Sequence, residues 1–182
     1  RPYEFINSKG EPDGYCVELS REVAKLLGKE PVFRLGKWSL VMEHLDMSEI
    51  DVLQGMAFSI ERARNYYFSS PHAETWRAIF SRKDSDISSE KDILNRSVVI
   101  QQGDVASEYL KQIGFQGILN EVPSQEIAMK LLDKGDFEAA VLNYTIGMYA
   151  IQQANLKNVI NLPNRIHQRD YCYASKDIQL IS

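Results

Sequence analysis

Short apolar runs alternate along the chain with stretches in which apolar residues recur every three or four positions. Runs of this length are typical of buried strands, whereas the wider spacing gives a helix one apolar face. The strand-like runs are PVFRL, IDVLQG, WRAIFSR, SVVIQQ, EAAVLN and VINLP. Because strands and helices alternate instead of falling into separate blocks, the pattern predicts an α/β protein with parallel sheets.

Polar caps and glycines mark the ends of the predicted helices. Serine and aspartate accept hydrogen bonds from the first amides of a helix, and glycine readily adopts the left-handed conformation that often ends one. The predicted helices run from Asp13 or Gly14 to Gly28, from near Ser39, from Asp104 to Gly114, and from Ser124 to Gly135. In open α/β sheets, ligands bind beyond the carboxyl ends of the strands. Functional residues are therefore expected just after VLQG, VIQQG and AVLN.

Composition and charge narrow the classes of partner. The chain has 182 residues, of which 44% are hydrophobic, enough for the core of one large domain or of two small lobes. Its formal net charge is -4 with both signs interspersed, so it has neither a basic stripe for nucleic acid nor a polybasic segment for anionic lipid. The apolar runs fall far short of the roughly 20 residues that cross a bilayer, and no signal-peptide pattern opens the chain.

The residues that most often carry chemistry form no catalytic motif. The histidines, His44, His72 and His167, are not spaced as metal ligands or as partners of a nucleophile. Cys16 and Cys172 lie far apart without a C-x-x-C motif; we expect free thiols, with a single disulfide as the alternative. There is no G-x-S-x-G, phosphate-loop or G-x-G-x-x-G motif. These residues therefore favour neither an enzyme nor a metal or cofactor site.

Arg62 is unusual because a cation follows a buried strand. It comes shortly after the run from Ile50 to Gly55, in the first turn of a helix that Ser59 can cap. The helix dipole disfavours a positive charge at that end, and a ligand would explain it. The guanidinium fork can hold a carboxylate through two hydrogen bonds, with the Gly55 backbone as a further donor. The alternative is a solvated arginine paired with Glu61.

Three further residues are candidates for ligand contacts, and each has a structural alternative. Trp38 precedes a predicted helix and is either an aromatic at the rim of a site or part of the core. Asp104 is either a ligand acceptor or the cap of the following helix, and its two oxygens allow both. Asn143 ends the run EAAVLN and offers a donor and an acceptor either to a ligand or to a turn.

Five ordered blocks of the chain resemble the bacterial solute-binding proteins of the polar amino acid type. The blocks are PYEFINSKGEPDGYCVELSREVAKLLG, KWSLVMEHLDMSEIDVLQGM, SIERARNYYFSSPH, VVIQQGDVASEYL and GDFEAAVLN, and they span nearly the whole chain. The resemblance implies a two-lobed, periplasmic-binding-protein-like α/β fold, the Venus flytrap, whose lobes close on a small ligand in the cleft. The implied lobes are residues 1–73 plus 168–182 and residues 77–166, with hinge crossings near 73–76 and 167–171.

The same resemblance implies roles for single residues. The arginine with which the family binds the ligand α-carboxylate falls on Arg62, and an aromatic or apolar wall falls on Trp38. Gly55 and Ala57 match positions that contribute backbone and hydroxyl contacts. If these positions keep the roles they have in the family, the ligand is a small carboxylate or an amino-acid-like molecule.

Three departures from the family pattern alter the expected ligand. Ala57 stands where binders of amino acids usually have Thr or Ser, and Asn143 where they carry an aspartate for the ligand ammonium. Asp104 stands where the second lobe usually offers a hydroxyl. Because a neutral amide holds a cation less strongly than a carboxylate does, we expect a small carboxylate without an α-ammonium, unless Asp104 takes over the ammonium.

Several details resemble sensor domains more closely than transport proteins. GMAFSIERARNYYFSSPH, VIQQGDVASEYL and RDYCYASKD resemble the flytrap domains of histidine kinases and, in some proteins, of diguanylate cyclases. This implies a periplasmic or extracellular sensor domain, joined to the membrane only through segments outside this sequence, in a receptor that can form a homodimer. The alternatives are the binding component of an amino acid importer and, third, an enzyme on this fold. A strand before PYEF and a helix after SKDIQLIS are also expected by resemblance.

Overall fold

A computed structural model describes residues 2–181. The helices are α1 (Tyr15–Leu26), α2 (Trp38–Asp46), α3 (Ala106–Gln112), α4 (Gln125–Lys134) and α5 (Tyr144–Gln153). The strands are β1 (Phe5–Ile6), β2 (Pro12–Asp13), β3 (Leu53–Ala57), β4 (Tyr67–Phe68), β5 (Ala73–Arg82), β6 (Ser97–Gln101), β7 (Ile118–Val122), β8 (Ala139–Asn143) and β9 (Val159–Ser175). The chain divides into two compact units: the first runs to Glu74 and resumes at Asp170, and the second is Thr75–Arg169.

The first unit combines short antiparallel strands with α1 and α2. β1 pairs with β2, and both β3 and β4 pair antiparallel with the carboxyl-terminal part of β9, where Met56 lies opposite Cys172. Val41 and Leu45 of α2 pack with Leu53 and Met56 of β3 in one buried apolar cluster. This cluster anchors β3, so the loop that follows the strand starts from a fixed point.

The second unit contains the strand order β5-β8-β6-β7 with helices on both faces. Side chains of a strand alternate between the faces of a sheet. Val98 and Ile100 of β6 accordingly pack in one buried cluster with Leu110 of α3. Val99 packs in another cluster with Met129 of α4, which also includes residues of α5. The sheet is therefore buried on both sides, which explains the nearly continuous apolar runs of β6 and β8.

The strand directions correct the prediction of parallel sheets. β6 is parallel to β7 and to β8, but β5 is antiparallel to β8, and the strand pairs of the first unit are antiparallel. Parallel neighbours need a crossover, usually a helix. β6, β7 and β8 are linked in that way through α3 and α4, whereas β5 enters the second unit directly from the first.

Most predicted helix ends are confirmed. α1 begins directly after Gly14, and α4 is capped by Ser124, whose Oγ accepts a hydrogen bond from Ile127 N at 3.2 Å. Gly135 ends α4 with a φ of 90°. The prediction of a strand at PVFRL is wrong, since residues 31–35 join no ladder within residues 2–181. An alternating run forms a strand only where a neighbouring strand takes up its backbone hydrogen bonds.

The two cysteines are free and buried, as predicted. Cys16 lies in α1 and Cys172 in β9, both in the first unit. Burial raises the pKa of Cys172 to about 11, and burial reinforced by the charge of Glu4 raises the pKa of Cys16. Both thiols therefore stay protonated at neutral pH. Within the described part of the chain, none of the helices has the length and apolar character to cross a membrane.

Candidate functional site

Arg62 is held at the end of β3 by its own loop. It begins a short 3-10 helix, Arg62–Arg64, and its backbone N donates to Oγ of Ser59 at 3.2 Å, as expected of a capping serine. Its Nη1 donates to the carbonyl oxygen of Ala57 at 2.8 Å, and only 8% of the residue is exposed. Arg62 is thus a buried cation fixed beside the last residue of a strand, not a solvated surface arginine.

Trp38, the first residue of α2, lies beside the Arg62 guanidinium. Cζ of Arg62 is 5.5 Å from the centre of the indole ring, the distance of a cation–π contact. The same side chain packs against the apolar cluster that contains Val41 and Met56. The packing supports the core interpretation of Trp38, and its contact with a ligand stays a prediction.

Gly55 lets a buried carboxyl approach β3 closely. Its φ is 64°, and a Cβ at this position would stand 2.8 Å from Oε1 of Glu4 and 3.3 Å from Sγ of Cys16. Burial raises the pKa of Glu4, while a hydrogen bond with Cys16 lowers it in part. The positive φ favours glycine at Gly55, and a larger residue there would also have to displace the end of the Glu4 side chain. Ala57, two residues on, is 3% exposed, and its carbonyl is the group that holds Arg62.

In the second unit, Asp104 is paired with a cation. Nε and Nη2 of Arg77 donate to Oδ1 and Oδ2 of Asp104, each at 2.9 Å. The ion pair is almost entirely buried, with 2% of the Arg77 side chain and 10% of the Asp104 side chain exposed. Oδ1 also accepts a hydrogen bond from Ala106 N at 2.8 Å, so the predicted role at the start of the helix is confirmed, although Val105 occupies the cap position.

Asn143 is completely buried at the end of β8. Its Oδ1 accepts a hydrogen bond from Ile146 N at 3.1 Å, which caps α5, and its Nδ2 donates to Oγ1 of Thr75. Its backbone N donates to Oε1 of Gln125 at 2.9 Å. Both ends of the amide thus have partners within the second unit, and a ligand contact by Asn143 stays a prediction.

Arg77 is the polar residue of this region that the motifs did not reveal. It lies directly opposite Asn143 in the antiparallel ladder of β5 and β8. Its signal in the sequence was a charge inside the apolar run WRAIFSR. Arg77 also affects His167. Burial is the main cause that lowers the pKa of His167 to about 4, the positive charges of Arg169 and Arg77 add to it, and Asp104 opposes them in part.

The six predicted site residues form two groups, one in each unit. The first group is Trp38, Gly55, Ala57 and Arg62, and the second is Asp104 and Asn143. In the first group the indole face and a carbonyl oxygen contact the guanidinium, which is the group that can bind an anion. In the second group the carboxylate already has a counter-charge. Among residues 2–181, no set of three or more His, Cys, Asp or Glu side chains is arranged to hold a metal. The ligand-binding roles of all six stay predictions.

Comparison with known proteins identifies relatives along most of the chain. The family model for bacterial extracellular solute-binding proteins, family 3, matches residues 1–162. The L-cystine-binding protein TcyJ of Escherichia coli strain K12 is 29% identical over 120 residues, 64% of this chain and 45% of TcyJ. The amino-acid-binding protein AabA of Dichelobacter nodosus is 27% identical over 176 residues, 88% of this chain and 66% of AabA. The chain spans about half to two thirds of the length of these two relatives.

Solved structures share the same fold. A histidine kinase sensor domain with similarity to periplasmic binding proteins matches with a TM-score of 0.93 and 37% identity over 99% of this chain and 80% of that chain. The holo arginine-binding protein of T. maritima matches with a TM-score of 0.86 and 23% identity over 98% of this chain and 79% of that chain. The predicted fold class, α/β of the periplasmic-binding-protein type, is confirmed. Since family and neighbours are binding proteins, the prediction of a binding module that is not an enzyme is confirmed as well.

Proposed function

Because the chain belongs to the bacterial extracellular solute-binding proteins, family 3, we propose that it is the extracytoplasmic sensor domain of a membrane-anchored histidine kinase. The similarity to a kinase sensor domain, 37% identical over 99% of this chain, supports this role. The importer component is the second candidate, and the similarity to cystine- and amino-acid-binding relatives supports it. Both candidates share one biochemical act, the reversible binding of a small solute.

The proposed ligand is a small carboxylate or amino-acid-like molecule, bound between lobes formed by residues 1–73 plus 168–182 and residues 77–166. The crossings near 73–76 and 167–171 would serve as hinges. The division of the chain into a unit that ends at Glu74 and resumes at Asp170 and a unit Thr75–Arg169 supports this assignment. Closure around the hinges would then carry the signal to the rest of the receptor.

The burial and position of Arg62 are the main support for this proposal. It is a buried guanidinium that lies against Trp38 and follows β3, at the position that matches the carboxylate-binding arginine of the family. A desolvated guanidinium binds a carboxylate much more strongly than an exposed one does. We propose that Arg62 holds the ligand carboxylate, that Trp38 forms a wall and that Gly55 and Ala57 contribute backbone contacts.

Calorimetric titration of the Arg62→Ala variant with small carboxylates and amino acids tests this proposal. Loss of one partner of a buried charge pair is expected to weaken binding by about 2 to 5 kcal/mol. Arg64→Ala is the matched control, because Arg64 lies in the same 3-10 helix and is exposed. Unchanged affinity in a folded Arg62→Ala variant would show that the ligand is anchored elsewhere.

The two candidate roles differ in what binding causes. In membranes that contain the full-length protein, a sensor kinase should incorporate phosphate from ATP at a rate that depends on the ligand found by calorimetry. Arg62→Ala should abolish that dependence and leave the basal rate intact. Uptake of the labelled ligand without any change in phosphorylation would instead establish the importer role.

A further inference from the structure

Three polar residues lie at one edge of the second unit's sheet, and the side chains of two of them, Arg77 and Asp104, are in contact. Arg77 in β5 lies directly opposite Asn143 in β8, and Asp104 follows β6, the parallel neighbour of β8. The ends of adjacent parallel strands form the edge at which α/β proteins bind ligands. What this edge can recognise depends on the net charge of the three groups.

The geometry of the ion pair removes Asp104 as an acceptor for a cation. Both carboxylate oxygens receive a hydrogen bond from Arg77 at 2.9 Å, and Oδ1 receives a third from Ala106 N. An ammonium could bind Asp104 only by breaking a buried bidentate pair, which would leave the guanidinium without its counter-charge. Asn143 is a neutral amide whose oxygen already caps α5. A positively charged ligand group therefore has no acceptor of opposite charge among these three residues.

The pKa of His167 depends on the same charged groups, Arg77 and Asp104. His167 stacks against Tyr109, with 4.9 Å between ring centroids. After burial, the positive charges of Arg169 and Arg77 are what lower its pKa, and Asp104 compensates only in part. At the position of His167, the two guanidinium groups thus outweigh the Asp104 carboxylate.

We infer that Arg77 determines the ligand class: by neutralising Asp104, it restricts the domain to small carboxylates that lack an α-ammonium group. The inference deepens the proposed function, on which it rests, since it takes Arg62 as the anchor for the carboxylate. An α-ammonium bound near this edge would lose its hydration without gaining a counter-charge, so its binding is disfavoured. Arg77 acts through Asp104 and is therefore a positioning residue.

The wild-type chain allows a direct test with ligand pairs that differ only in the α-ammonium. Suitable pairs are propionate and alanine, succinate and aspartate, 4-methylpentanoate and leucine, and 3-phenylpropionate and phenylalanine. Calorimetry should show that, in the pair that binds, the compound without the ammonium binds at least about tenfold more tightly, which corresponds to about 1.4 kcal/mol. Tighter binding of the amino acid would overturn the inference without any variant.

Variants then test whether Arg77 causes the preference. Arg77→Gln frees the Asp104 carboxylate, and the preference within the pair should shift toward the amino acid by about tenfold or more. The double variant Arg77→Gln with Asp104→Asn has no free carboxylate and should keep the wild-type preference. Arg77→Lys retains the positive charge and should keep it as well. An unchanged preference in a folded Arg77→Gln variant, or loss of all carboxylate binding in the double variant, would overturn the role given to Arg77.

Failure of the proposed function gives a different result. If none of the compounds binds, or if Arg62→Ala binds them as the wild type does, the carboxylate anchor is wrong and this inference falls with it. If binding depends on Arg62 but the preference does not depend on Arg77, only the inference about ligand class is wrong. Circular dichroism spectra and unfolding curves for each variant separate loss of recognition from loss of folding.

Discussion

Each unit contains a buried arginine, Arg62 just after β3 and Arg77 within β5, and the two contact different groups. Arg62 in the first unit donates to the carbonyl oxygen of Ala57 and lies over the indole of Trp38, which are neutral groups. Arg77 in the second unit is held by both oxygens of the Asp104 carboxylate. Burial alone therefore does not show that an arginine can hold a ligand anion, since Arg77 is also buried and already pairs with a carboxylate.

Replacing each arginine by alanine should give the largest difference in stability between the two units. Arg77→Ala leaves Asp104 buried without its counter-charge and should lower the free energy of unfolding by about 3 to 5 kcal/mol. Arg62→Ala leaves one buried carbonyl without that donor and should lower it by about 1 to 3 kcal/mol. Urea unfolding at neutral pH measures both losses. Equal losses would mean that the two arginines contribute alike to the stability of the fold.

Gly55→Ala tests how tightly the candidate site of the first unit is held. The positive φ and the contact with Glu4 should together lower the free energy of unfolding by about 1 to 3 kcal/mol. Gly10→Ala is the control, because Gly10 also has a positive φ of 83° but a Cβ there would meet nothing within 4 Å. Urea unfolding should give the smaller loss for Gly10→Ala; equal losses would show that the approach of Glu4 to β3 imposes no steric requirement.

Glu4 should make the stability of the fold decrease as the pH rises. Its pKa is raised by burial, so above pH 4.5 the folded state binds more protons than the unfolded state does, and stability is lost as the pH passes the raised value. The slope is limited to about 1.4 kcal/mol per pH unit. Urea unfolding curves recorded from pH 4.5 to neutral should show a flatter dependence for Glu4→Gln. The same slope in wild type and variant would mean that Glu4 ionises freely in the folded state.

His167 should act in the opposite direction, and with the smallest effect because it is partly exposed. Its pKa falls from 6.5 to about 4 on folding, so the unfolded state takes up a proton first and stability falls as the pH is lowered from 6.5 toward 4. In thermal unfolding, His167→Asn should remove this part of the dependence. Asparagine suits the φ of 49° at this position, so the backbone should tolerate the change. Identical curves for wild type and variant would contradict the predicted shift.

The fold was predictable where the signal was local. Ser124 and Gly135 mark the two ends of α4 as predicted, and the nearly continuous apolar run of β6 matches its two buried faces. The run PVFRL fails because a strand depends on a partner, which a local pattern does not contain. The direction of β5 likewise depends on how the chain enters the second unit, and apolar runs do not record direction.

The sequence predicted the candidate site best in the first unit, where a charged residue follows an apolar strand. Arg62 was found from its position after an apolar run, and the cap by Ser59 followed from spacing. The partner of Asp104 was not, because Arg77 is 27 positions away and is brought to it by the packing of β5 beside β8. An ion pair over that separation leaves no periodic trace in the sequence. The ion pair between Arg77 and Asp104 therefore became visible only in three dimensions.

The alkylation rate of the buried thiols can measure local unfolding of the first unit. Alkylating reagents attack the thiolate, and both Cys16 and Cys172 are buried and held protonated. Labelling therefore occurs only in molecules in which α1 or β9 has separated from the rest of the unit. A ligand that binds only the folded first unit slows labelling in proportion to the locally unfolded population that it removes. The rate at which native cysteines are alkylated on intact cells would thus report ligand occupancy in place, without any probe added to the protein.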